Sequence, residues 1–87
     1  MLKIRRNGNG EVVFTLSGRL GADNLTELST LLDAEPADRL LVLDLKDVVL
    51  VDQDIVRFLG AREADGVALR NCPPYIRVWI ARQGEQA

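Results

Sequence analysis

The side chains with the most chemical capacity in this chain are the aspartates Asp44, Asp47, Asp52 and Asp54, close together in sequence, and the lone cysteine Cys72. Grouped carboxylates can hold Mg²⁺ or Ca²⁺ through hard oxygen ligands, or accept a phosphoryl group on an aspartate. The same spacing has a structural reading that asks for less. Asp52 is placed to cap a helix and Asp54 to sit in its first turn, where the helix dipole favours negative charge by about 0.3–1 kcal/mol. Asp44 and Asp47 then mark a strand end and a turn, and this reading is preferred. Cys72, between Asn71 and Pro73, needs an activating neighbour to act as a nucleophile. Only Arg70 or a following helix start stands near it, so a small packing residue is expected.

What is missing narrows the chemistry further. The chain has no histidine, which excludes Ser-His and Cys-His nucleophilic catalysis and every histidine-ligated metal site. A single cysteine excludes intrachain disulfides, CxxC redox pairs and thiolate zinc sites. Net charge is −2 and the pI about 5.0, so no basic footprint for a nucleic-acid backbone is present. No apolar run approaches the ~18 residues that span a bilayer. Met1-Leu2-Lys3-Ile4-Arg5-Arg6 lacks the apolar block of a signal peptide. Gly8 and Gly10 lie outside any strand–Gly-x-Gly–helix context and make no phosphate cradle. A cytoplasmic, reduced, soluble protein without cofactor or metal is expected, a binding module rather than an enzyme.

The elements that must position these residues follow from hydrophobic spacing. The 87 residues, 47% hydrophobic and 28% charged, suit one small domain over residues 1–87. Leu2-Lys3-Ile4-Arg5 alternates as a half-buried strand, and Asn7-Gly8-Asn9-Gly10 signals a hairpin turn. Glu11 to Ser17 forms the second strand, with Val12, Phe14 and Leu16 on one face, and Gly18 to Gly21 breaks it. Asn24, or alternatively Asp23, caps a helix whose stripe is Leu25, Leu28, Leu31 and Leu32 and which ends near Ala34, before Pro36. Leu40 to Leu45 is apolar enough to be a strand covered on both faces. Lys46-Asp47 reads as a turn and Val48 to Val51 as a second run aimed at the same core.

Asp52 or Gln53 opens a helix from Asp54 to about Asp65, with Ile55, Phe58, Leu59 and Arg62 on one side and Gly66 as its C′ residue. Val67 to Leu69 is a short strand. Pro74 to about Gln83 is the last helix, striped by Tyr75, Ile76, Trp79 and Ile80, a core stripe first and a partner anchor second. Arg77 and Arg82 lie on its solvated faces, and residues 83–87 read as a frayed tail. The order is β-β-α-β-α-β-α. It predicts an α/β (α+β) fold: one mixed sheet of about four to five strands, with helices packed on one side and the hairpin as its antiparallel part.

Three segments of this chain carry a family resemblance. Phe14-Thr15-Leu16-Ser17-Gly18-Arg19-Leu20 is similar to the hydrophobic-strand, Gly-x-Leu opening of STAS domains. Leu41-Val42-Leu43-Asp44-Leu45-Lys46-Asp47-Val48 resembles their Val-Leu-Asp-Leu-x-x-Val strand, and Val51-Asp52-Gln53-Asp54 stands where they have Ile-Asp-Ser-Ser-Gly. STAS domains occur in bacterial anti-sigma factor antagonists and at the C-terminus of sulphate transporters, and the likeness covers roughly residues 11 to 80.

The resemblance implies a sheet flanked on one face by helices and a role in binding another protein. An anti-sigma factor or kinase-like regulatory protein would be the partner. Its contacts would centre on Val51, Asp52, Gln53, Asp54 and Ile55, with Arg57 and Gly60 on the exposed face of the following helix. An accessory subunit of a larger assembly, such as the STAS-type component of a lipid-transport ABC system, is the alternative. An aspartate-based enzyme or phosphocarrier ranks last, and a homodimer stays open.

The family's phosphorylated serine is replaced by Gln53, and Asp54 and Ile55 replace the next Ser-Gly. An amide accepts no phosphate, so the usual charge switch is missing here. A surface kept neutral by Gln53 and always able to bind is preferred over Asp54 as a fixed phosphate mimic, since a carboxylate carries about half the charge of a phosphate.

Overall fold

The expected alternation appears as one mixed sheet. A computed structural model of the chain describes residues 2–36 and 38–85. Its strands are β1 (Lys3–Asn9), β2 (Glu11–Leu20), β3 (Leu40–Val51) and β4 (Ala68–Arg70), and its helices α1 (Leu25–Asp33), α2 (Gln53–Ala64) and α3 (Pro74–Glu85). The sheet order is β1-β2-β3-β4. β1 and β2 pair antiparallel, while β2–β3 and β3–β4 pair parallel through the α1 and α2 crossovers. Four strands meet the lower bound of the expectation.

One face of the sheet holds the core. Val12, Phe14, Leu16, Leu43 and Leu45 form a single apolar cluster with Leu28 and Leu32 of α1, Ile55, Val56 and Leu59 of α2, and Ile76 of α3. All three helices therefore cover the same face. The opposite face carries no helix among the described residues. There Val42 is buried to 1% exposure outside that cluster, although it lies in register with Val13 and Ala68. Arg70 on β4 reaches across β3 to Glu11 on β2 at 2.9 Å, so a charged strap spans the strand that bears Val42.

Several expectations are corrected. The hairpin turn sits at Gly10 (φ +88°), between the paired residues Asn9 and Glu11. Asn7 and Gly8 belong to β1 because regular pairing with Val13 and Val12 extends through them. β2 runs through Gly18 to Leu20. Lys46-Asp47 is no turn but part of a continuous β3, whose register against β2 slips between Thr15 and Ser17 and again between Gly18 and Arg19. Each slip inserts a residue on β3, so burial steps from Leu45 to Val48 to Val51 rather than to every second residue. The Asp44 carboxylate accepts the Lys46 N–H at 3.0 Å, satisfying a donor within the first irregularity.

Asn24 holds the N-cap position of α1, as expected, but its side chain makes no capping bond to that helix. It closes a 3-10 turn, Ala22–Asn24, and its Oδ1 accepts the Gly21 N–H at 3.0 Å. α3 continues to Glu85, so residues 83–85, expected as frayed tail, are helical, and residues 86 and 87 of that expectation lie outside the described residues. Tyr75 leaves the expected core stripe: it is 50% exposed, while Ile76 is fully buried.

Ion pairs tie the helices together. Arg62 of α2 bonds Asp33 of α1 at 2.9 Å and lies 5.2 Å from the Phe58 ring centre. Arg77 of α3, expected on a solvated face, chelates both Glu63 oxygens of α2 at 2.8 and 2.9 Å.

Gly66 ends α2 at φ +105°, and an added Cβ there would meet nothing within 4 Å. Gly66→Ala therefore isolates the backbone strain of the left-handed region, and it is expected to cost about 1 kcal/mol. Urea unfolding checks this; an unchanged or raised midpoint would refute the strain argument.

Candidate functional site: the β3–α2 corner

β3 delivers its last residue, Val51, to the C-terminal edge of the sheet beside Leu20 of β2. The chain then turns at Asp52 (φ −109°, ψ 178°) into α2. Asp52 is the N-cap: its Oδ1 accepts the Ile55 N–H at 3.0 Å. Its Oδ2 accepts the Ala22 N–H at 2.8 Å, from the loop that follows β2. One carboxylate thus closes both loops at this end of the sheet. The Ile55 and Ala22 amides, in that order, hold its carboxyl below the usual carboxylate range. Gly21 leaves room for this approach, since a Cβ there would stand 2.8 Å from an Asp23 oxygen and 3.3 Å from Asp52 Oδ2.

The expected partner residues divide by burial. Val51 and Ile55 face the core, Ile55 with no exposed surface, so their side chains offer nothing to a partner. Asp52 is half-buried and committed to the two loops. Gln53, Asp54 and Arg57 are exposed, and Arg57 stands 3.9 Å from Asp54 one helical turn away. Gly60 faces α3, where an added Cβ would lie 3.4 Å from Ile80 Cγ2.

Two open clefts flank the corner. One, of about 700 Å³, is lined by Leu2, Arg19, Asp23, Glu27 and Leu50 among others, with Asp52 at its wall. The other, of about 600 Å³, lies between Gln53 and the α3 residues Tyr75, Val78, Trp79 and Arg82. Large apolar side chains stand exposed on both sides: Val49 and Leu50 at 69% and 50%, Tyr75 and Val78 at 50% and 52%. The sequence reading missed Val49, Leu50 and Val78 as surface residues. A second α3 stripe at i, i+3, i+4 and i+7 (Tyr75, Val78, Trp79, Arg82) was available as a signal, beside the core stripe that shares Trp79.

The four aspartates do not converge. Asp44 accepts hydrogen bonds from Lys46 N–H and, at 3.2 Å, from Asn71 Nδ2. Asp47 lies by Lys3, Arg5, Thr15 and Ser17, and Asp52 and Asp54 serve the start of α2. Among the described residues no group of three or more acids and cysteines is placed to hold a metal ion. Burial raises the Cys72 thiol above its ordinary value, which keeps it protonated at neutral pH. No helix of the described residues is long and apolar enough to cross a membrane. In comparisons with known proteins, no family model matches the chain and no curated protein matches it.

Proposed function

We propose that the chain is a non-catalytic, STAS-like protein-interaction module of bacterial regulation, resembling anti-sigma factor antagonists but without their phosphoserine switch. Its partner is a cytoplasmic anti-sigma factor or kinase-like protein. The observation that supports this reading most is the β3–α2 corner: a carboxylate-braced ledge whose exposed Gln53, Asp54 and Arg57 are bordered by exposed Val49, Leu50, Tyr75 and Val78. Apolar and aromatic anchors beside a polar rim are what a protein interface uses. With an amide at Gln53, binding is governed by partner concentration rather than by phosphorylation of that position.

Affinity capture from bacterial cytosol with quantitative mass spectrometry tests the reading. Wild type is expected to retain a regulatory protein that Tyr75→Ala loses by about tenfold or more, the scale of an interface anchor. Gln53→Glu is expected to weaken the same complex. Tyr75 and Gln53 are exposed, so both variants should melt as wild type does. A captured partner indifferent to both substitutions would remove this corner as the recognition surface.

A further inference from the structure

The sheet has two edges of different character. β4 is three residues long, short enough to blunt edge pairing. β1 is seven residues long, pairs with β2 in unbroken register from Lys3↔Ser17 to Asn9↔Glu11, and has no strand on its other side among the described residues. It contains no proline and no bulge, so its outward backbone N–H and C=O groups form a regular, unpaired row.

The charge on that row has one sign. β1 reads Lys-Ile-Arg-Arg-Asn-Gly-Asn, with no carboxylate. Lys3, Arg5 and Asn7 share the helix-free face with their partners Ser17, Thr15 and Val13, while Ile4, Arg6 and Gly8 share the core side with Leu16, Phe14 and Val12. Arg6 is neutralised by Glu35. Lys3 and Arg5 are exposed. Asp47 of β3 lines one cleft with them, but among the described residues no carboxylate comes within the 4.0 Å of an ion pair with either cation. A second copy of β1 laid along this edge would add its own Lys3 and Arg5 to the two cations already there, and like charges in facing strands are destabilising. An acidic strand meets no such penalty.

We propose that β1 is a strand-addition site for an extended acidic segment of another protein. The segment's backbone completes the open edge, its carboxylates at alternate positions pair with Lys3 and Arg5, and the residue between them lies beside half-buried Ile4. This mode takes affinity from main-chain hydrogen bonds and selectivity from alternate side chains. It uses a surface separate from the β3–α2 corner and does not rest on the function proposed for that corner.

The test titrates the ¹⁵N-labelled protein with a capped octapeptide of alternating glutamate and threonine, and separately with its lysine–threonine counterpart. The acidic peptide is expected to shift the Lys3–Gly8 amides and slow their hydrogen exchange, to weaken with added salt, and to bind at least about tenfold more tightly than the basic one. Lys3→Glu/Arg5→Glu is expected to reverse that preference. If the double variant does not fold, Lys3→Gln and Arg5→Gln, read singly, are each expected to weaken the acidic peptide. The inference is overturned by the absence of shifts in β1, by shifts confined to α3 or to Val49–Leu50, by equal binding of both peptides, by self-association through β1, or by acidic-peptide binding that these substitutions leave unchanged.

Discussion

Replacing Leu43 by alanine is expected to lower stability by about 3–4 kcal/mol, the middle of the range for a large-to-small change in a sealed core. Leu43 has no exposed surface and stands at the centre of the sheet, in register with Phe14 on one side and Leu69 on the other. The three elements packed over this face are helices closed onto it by Leu28, Leu32, Ile55, Leu59 and Ile76, so little can move to fill the void. A chain of 87 residues has a total stability on the order of 4–13 kcal/mol. The loss is therefore a large part of the whole, and should lower Tm by roughly 12–30 °C. Leu40→Ala is the control: Leu40 is on the same strand but 51% exposed, and its loss should stay below about 1 kcal/mol. Equal melting temperatures for the two variants would refute the placement of the core.

Asp52→Ala should produce the next largest effect, about 1–2 kcal/mol, because it removes the cap of α2 and the bond to Ala22 together. Asp52→Asn keeps one accepting oxygen, so it should lose roughly half as much, on the order of 1 kcal/mol. The pH dependence separates the charge from the shape. The folded-state pKa of Asp52 is lowered, by the Ile55 amide first and then by that of Ala22. Its stabilisation is therefore fully present above the unfolded value of about 3.9, and fades as pH falls from there through the lower folded value. Urea unfolding at neutral pH and at about pH 3 should show the wild-type advantage over Asp52→Asn shrinking in acid. An advantage that stays constant across that interval would mean that the ionised carboxylate contributes nothing beyond its geometry.

The same corner shows how far sequence reading reaches. That Asp52 caps α2 was legible because capping is local: the acceptor and the Ile55 amide lie three residues apart. That Asp52 also holds Ala22 was not, since the two are thirty residues apart and only the parallel pairing of β2 with β3 brings their ends together. Helical spacing puts Tyr75 on one stripe with Ile76, Trp79 and Ile80. Whether a helix face is covered depends on where its neighbours stop, and α2 reaches Ile76, Trp79 and Ile80 but leaves Tyr75 outside. Lys46-Asp47 looked like a turn because charged residues interrupt an apolar run. Inside a sheet the same two residues are accommodated by an inserted residue and by the Asp44 carboxylate.

Taken alone, the sequence determined the class of fold, the order of its elements, the cap and glycine stop of α2, and the exclusion of histidine chemistry and of intrachain disulfides. These follow from hydrophobic periods, backbone preferences and the inventory of functional groups, all of which act over a few residues. Tertiary structure decided which edge of the sheet stays open, which aspartate bridges two loops, and which apolar side chains remain in water. Those outcomes depend on strand register and on helices meeting across long separations, where contacts are set by the chain's global path rather than by any neighbour in sequence.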